Sequence, residues 1–132
     1  MNQQISIGLF GFGTVGQSVY KVISGAKNAH AQISRICVRN IAKPRAVAVD
    51  PSILTDNPDD VFADPSINLI VEVVDDAEAS YRIVSTALRR GIPVVSGSKA
   101  MIARHLPELI ELQREYGSAL LYDASSCCLL YT

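Results

Sequence analysis

The chain has 132 residues, a formal net charge of −1, 48% hydrophobic and 19% charged residues, which fits one globular domain and excludes a disordered or low-complexity segment. Its three cysteines, Cys37, Cys127 and Cys128, are too few and too oddly spaced for a disulfide framework or a zinc site. The opening Met-Asn-Gln-Gln has no basic n-region and no run of about 18 apolar residues follows, so no signal peptide or membrane contact is expected and a cytoplasmic location is the default.

Short apolar runs alternate with amphipathic stretches. Ile5 to Phe10 reads as a first buried strand. A helix follows from Thr14 to about Gly25, with Val15, Val19, Val22 and Ile23 spaced to share one apolar face. Ile33 to Val38 is a second strand. Pro44 and Pro51 mark an irregular passage with a short apolar run at 47–49 and a strand near Ile53 and Leu54. Asn57-Pro58 opens a short helix. Leu69 to Val74, rich in β-branched residues, is the clearest strand. A helix carrying Tyr81, Val84 and Leu88 inward comes next and closes at Arg89-Arg90-Gly91. Pro93 to Ser96 is a strand, Met101–Arg104 and Pro107–Tyr116 are helical pieces, and Ala119 to Tyr122 is a last strand. Strands that alternate with helices imply a parallel sheet with right-handed crossovers. The expectation is a three-layer α/β/α, doubly wound parallel sheet of five or six strands.

Gly11-Phe12-Gly13-Thr14-Val15-Gly16 sits between the first strand and the first helix, the setting that gives a dinucleotide-binding fingerprint its meaning. The first glycine permits the tight turn, the second leaves room for pyrophosphate, and the third lets helix and strand pack closely. The helix N-terminus offers unpaired N–H groups to an anion. This is a Rossmann-type arrangement, and these six residues are cofactor-binding candidates.

The cofactor is read from the end of the second strand. An NAD-specific site places an acid about 20 residues beyond the loop, but residues 1–49 contain no acid and six basic residues, a charge of +6 against −7 for the remainder. Arg39 could bind a 2′-phosphate through its planar fork, with Lys43 and Arg45 close enough in sequence to assist. NADP(H) is favoured, and NAD(H) remains open if Arg39 stacks on adenine or lies in solvent. No aromatic or basic repeat accompanies the positive charge, so a small phosphorylated ligand fits better than nucleic acid. A chance asymmetry on a solvated surface is the alternative.

Several motifs then fall in order: the glycine loop, Val38-Arg39-Asn40 with Lys43-Pro44-Arg45, Leu54-Thr-Asp-Asn-Pro58, Asp64 to Glu72, Gly91-Ile-Pro-Val-Val-Ser-Gly-Ser98-Lys99-Ala100, and Asp123-Ala-Ser125. Together they resemble the N-terminal half of homoserine dehydrogenase, from Ile5 to about Cys127. The resemblance implies NAD(P)-dependent interconversion of aspartate 4-semialdehyde and L-homoserine, a step toward threonine and methionine. It implies that Lys99 matches the family's lysine and stabilises charge on the aldehyde oxygen or delivers a proton; a lysine that fixes the cofactor or caps a helix is the other reading. It also adds Val74, Asp75, Ser98 and Lys99 to the cofactor contacts.

Asp75-Asp76 departs from the family, which commonly has glycines there; capping of the next helix is the simple account. After Cys127 the family continues into a substrate and dimerisation region. Here an atypical tail, residues 128–132, follows a nucleotide-binding domain of residues 1–127, so a truncated or frameshifted coding sequence is expected. Such a chain would bind cofactor without turnover, would meet its small-molecule substrate only in a full-length enzyme, and would associate as a homo-oligomer through exposed apolar surface. Two other readings stand beside it: a stand-alone NAD(P)-binding or regulatory module, and a Rossmann oxidoreductase of the sugar or inositol dehydrogenase type, whose Glu-Lys-Pro loop Gly97-Ser-Lys-Ala100 does not match. His30 and His105 read as loop or solvated histidines and no metal is expected. Cys127 and Cys128 read as free thiols, Cys37 as a small core residue, and Glu108, Glu111 and Glu115 as a wet helix face.

Overall fold

A computed structural model describes residues 4–26 and 30–122. Its strands are β1 (Ile5–Phe10), β2 (Ala31–Cys37), β3 (Leu54–Thr55), β4 (Leu69–Glu72), β5 (Val94–Ser96) and β6 (Leu120–Leu121), and its helices α1 (Thr14–Ser24), α2 (Pro58–Phe62), α3 (Ala77–Arg89) and α4 (Lys99–Tyr116). The sheet order is β3-β2-β1-β4-β5-β6, the doubly wound order expected from the alternation of strands and helices.

In residues 4–69, β1 pairs in parallel with β2, from Ile5 opposite Ala31 to Phe10 opposite Cys37, with a register shift between Ile7 and Gly8. β2 pairs in parallel with β3. Ile7, Leu9, Phe10, Ile36 and Val61 are buried, and the Phe10 ring lies 5.5 Å from Phe62. The run at 47–49 forms no strand; a single 3-10 turn at Pro51–Ile53, capped by Asp50, leads into β3. α2 starts with Pro58 in its first turn and with Asn57 as its cap, which is where a missing N–H and a short polar acceptor suit a helix start.

Of the apolar face expected of α1, Val19 and Ile23 lie on the packed side, whereas Val15 and Val22 are corrected to exposed positions. Val15 and Val22 are 60% and 73% exposed, and Gly16 is the buried residue of that helix. The helix makes its contact through the stripe that holds Gly16, half-buried Val19 and Tyr20, and Ile23, because a residue without a side chain allows the closest approach. Spacing alone could not distinguish this stripe from the adjacent one through Val15 and Val22.

In residues 70–122, β4, β5 and β6 pair in parallel. Ile70, Val71, Val84, Leu88, Val94, Met101, Ile102 and Leu109 are buried, with α3 packed against α4 and β5. α4 joins the two expected helical pieces across a kink at His105, two residues before Pro107, where the proline ring cannot tolerate the carbonyl of a regular preceding turn. Gly117 ends it in the left-handed conformation, which glycine adopts without a Cβ penalty. No helix among the described residues is long and apolar enough to cross a membrane.

Cys37 is buried at the end of β2, as expected. Burial pushes its thiol from near 9 up to about 11, with Asp56 and Asp60 adding to the shift. The folded chain therefore keeps this proton where the unfolded chain has lost it. The associated stability is complete below about pH 9 and declines as pH rises toward about 11. Cys37→Ala should flatten that part of the curve when unfolding free energy from urea titrations is plotted against pH. Parallel curves for variant and wild type would contradict the assignment.

Candidate functional site

The glycine loop is built where β1 leaves the core. Gly11 has φ 99°, a conformation that an L side chain rarely adopts, and its N–H still donates to the Cys37 carbonyl at 3.0 Å, extending the strand contact by one bond. A Cβ built on Gly13 would meet nothing within 4 Å, so space lies open above the backbone there. Gly13 is also the N-cap of α1, which has no side-chain cap and no acid in its first turn. Its first N–H groups are thus not taken by a capping side chain, and the helix dipole favours an anion at that end. Phe12 points the other way: it is buried and meets the Tyr20 ring edge-on at 5.8 Å. Thr14 and Val15 are exposed in the first turn.

One side chain outside the expected set, Gln17, and one within it, Arg45, shape the rest of this region. The Gln17 amide donates to the Phe12 carbonyl at 3.0 Å and accepts from the Val47 N–H at 3.1 Å, joining the glycine loop to the irregular passage after β2. Arg45 donates to the carbonyls of Asn40 and Lys43 at 2.8 and 2.9 Å, and Asn40 accepts from the Ala42 N–H at 3.1 Å. Arg45, expected to assist in holding a phosphate, is engaged in bracing the turn that carries Lys43. Arg39 and Lys43 are both exposed. Neither Gln17 nor the Arg45 clamp had a signal in the sequence, since the first is a neutral helix residue and the second depends on a turn that periodicity does not specify.

In residues 70–122 the expected contacts gather around one side chain. Glu72, at the end of β4, is fully buried. Its Oε2 accepts from the Val74 N–H at 2.7 Å and from the Ser98 hydroxyl at 2.5 Å, and its Oε1 accepts from the Ser96 hydroxyl at 2.7 Å. The Ser98 hydroxyl also lies 2.9 Å from the Val74 carbonyl, and the Ser98 N–H donates to the Ser96 hydroxyl at 3.1 Å. Gly97 donates to the Glu72 carbonyl at 2.8 Å, and a Cβ on Gly97 would press Val73 Cγ1 at 3.2 Å. Val74 and Ser98 are thereby brought together. Lys99, exposed, begins α4 directly after Ser98, whose hydroxyl makes no capping bond because Glu72 and Val74 occupy it. A charged residue inside the apolar run Leu69–Val74 was the available sequence signal, since a carboxylate is seldom fully buried without partners.

Asp75 is exposed. Asp76 caps α3, its Oδ1 accepting from the N–H groups of Glu78 and Ala79 at 3.0 and 3.4 Å, which is the capping expected of this acidic pair. His105 differs from expectation: its side chain is 17% exposed, stacks on Tyr81 at 3.9 Å between ring centres and places Nε2 2.8 Å from Glu78 Oε2. The kink in α4 turns it toward α3 instead of solvent. Glu108, Glu111 and Glu115 are exposed. Asp123, Ser125, Cys127, Cys128 and the tail at 128–132 lie outside the described residues.

The family model of the homoserine dehydrogenase NAD-binding domain matches residues 11–123. The homoserine dehydrogenases of a Synechocystis species and of Bacillus subtilis are 29% and 30% identical to this chain over 126 and 128 residues, 92% of its length and 29% and 30% of theirs. The crystal structure of Staphylococcus aureus homoserine dehydrogenase at pH 6.0 superposes with a TM-score of 0.81 at 30% identity, covering 92% of this chain and 33% of that one. A hyperthermophilic archaeal homoserine dehydrogenase in complex with NADPH has a TM-score of 0.71 at 21% identity, over 93% of this chain and 44% of its own, and shares the fold. The chain spans about 30% of the length of the curated relatives.

The two neighbouring acids should separate cleanly in a stability experiment. Asp76→Ala removes the α3 cap and should lower the unfolding free energy by about 1 kcal/mol. Asp75→Ala should change it by less than about 0.5 kcal/mol. Urea denaturation of both variants checks this; equal losses would mean that Asp75 shares the capping role.

Proposed function

The chain belongs to the homoserine dehydrogenase NAD-binding domain family, and from that premise we propose that it binds a nicotinamide dinucleotide, NADP(H) ahead of NAD(H), for the interconversion of aspartate 4-semialdehyde and L-homoserine. The observation that carries this reading is the glycine turn: a positive φ at Gly11, open space above Gly13, and an α1 N-terminus with neither a side-chain cap nor an acid. Those features suit a pyrophosphate lying against backbone. Gly11, Phe12, Gly13, Thr14, Val15 and Gly16 form the pyrophosphate loop. Exposed Arg39 and Lys43 take the 2′-phosphate, with Lys43 presented on the turn that Arg45 braces. Val74, Asp75, Ser98 and Lys99 serve the nicotinamide side.

When bound, the nicotinamide supplies or accepts the hydride. Lys99 places its ammonium where negative charge develops on the aldehyde oxygen, stabilising it and providing a proton. Its place at the first position of α4, just beyond the carboxyl end of β5, is the edge at which such sheets bind ligands. Residues 1–127 act as the nucleotide-binding domain, the amino-acid substrate is held by parts of a longer protein, and the assembly is a cytoplasmic homo-oligomer. Binding of nucleic acid has no role in this reading.

A fluorescence titration with NADPH and NADH side by side tests the reading. Saturable binding with NADPH tighter is expected. Arg39→Ala and Lys43→Ala should each weaken NADPH by roughly tenfold, the scale of one charged hydrogen bond, and NADH much less. Equal losses for both would refute the phosphate role, and no saturation with either would refute the cofactor reading.

A further inference from the structure

We propose that Glu72 is the positioning residue for the nicotinamide side of the cofactor, acting through Val74 and Ser98 on the backbone that carries Asp75 and Lys99; this rests on the cofactor reading above. A fully buried side chain at the end of a parallel strand is most simply an aliphatic one, because removing a carboxylate from water is costly unless donors replace the water. An apolar residue of similar volume is often as stabilising as a buried polar cluster. Glu72 is buried completely and is met by donors from three residues, the Val74 N–H and the hydroxyls of Ser96 and Ser98. What the carboxylate adds over an aliphatic residue is a fixed geometry.

That geometry is specific to the loops after β4 and β5. One oxygen, Oε2, holds both Val74 and Ser98, and the single hydrogen of the Ser98 hydroxyl is divided between that oxygen and the Val74 carbonyl. The backbone of Glu72 receives Gly97, whose missing side chain lets Val73 close in. The same residue therefore fixes the chain on both sides of itself, at 73–74 and 96–98. Ser98 is an N-cap by position but not by bonding, so the start of α4 and the direction of Lys99 are tied to Glu72 instead of to a local cap. Small displacements of such a platform suffice to lose a productive contact.

Glutamine at position 72 keeps the shape and removes one acceptor. Its NH2 would have to face either the Val74 N–H or the Ser96 hydroxyl, both of which now donate to it. The test compares NADPH with 2′,5′-ADP, which has the adenosine and 2′-phosphate but no nicotinamide, on wild type, Glu72→Gln and Ser98→Ala. Far-UV circular dichroism confirms the fold of each. Wild type should bind NADPH more tightly than 2′,5′-ADP. Glu72→Gln should lose about tenfold in NADPH affinity while its 2′,5′-ADP affinity stays within about twofold, and Ser98→Ala should move the same way by a smaller factor. If Glu72→Gln does not fold, Ser98→Ala is read by the same criterion. Equal losses for both ligands, or no loss for either, would overturn the positioning role while leaving the cofactor reading intact. Wild type that binds the two ligands equally would also overturn it, because nothing would then hold the nicotinamide. Wild type that binds neither would overturn the cofactor reading itself, and this proposal with it.

Discussion

A chain that leaves a buried parallel strand carries backbone polar groups that have lost their ladder partners and have little access to water. Each such exit needs partners built in. At the end of β1 the turn is made by a glycine with φ 99°, the Gly11 N–H finds the Cys37 carbonyl, and the Phe12 carbonyl is met by Gln17. At the ends of β4 and β5 a buried carboxylate does the equivalent work for Val74, Ser96 and Ser98. The first solution leaves space and free donors above the backbone. The second leaves a rigid, shaped one.

The helix starts divide along the same line. α3 is closed to anions by its own chemistry, with Asp76 as cap and Glu78 in the first turn. α1 begins with a glycine, has no acid in its first turn, and lies in a stretch of 49 residues with six cations and no acid. Oriented N–H groups at a helix start with no competing acid favour an anion there. In the turn at 40–45, Arg45 donates to the carbonyls of Lys43 and Asn40 and so braces the segment that carries Lys43.

Much of this was legible from the residues alone. The strand at Ile5–Phe10 and the helix start at Thr14 match the observed bounds, since a buried β-strand and a glycine loop both leave local signals. The sheet order followed from the alternation of strands and helices. The face of α1 was legible in part: the close packing of Gly16 and the inward Val19 and Ile23 were expected, but Val15 and Val22, apolar at helical spacing, are exposed. Glu72 stood out as an acid inside the apolar run Leu69–Val74, but its role was not legible, because it depends on serines 24 and 26 residues away, and such contacts have no sequence period. His105 does lie at the expected break between the two helical pieces, but its ring stacks on Tyr81 and meets Glu78 instead of solvent, contacts that local sequence does not signal.

The most direct test of the central claim is the amide correlation spectrum of the isotopically labelled chain, recorded with and without NADPH. The account predicts shifts concentrated at Gly11–Gly16, Arg39–Lys43, Val74–Asp75 and Ser98–Lys99, with the Asp76-capped first turn of α3 much less affected. Shifts centred elsewhere, or a spectrum unchanged at saturating NADPH, would contradict it.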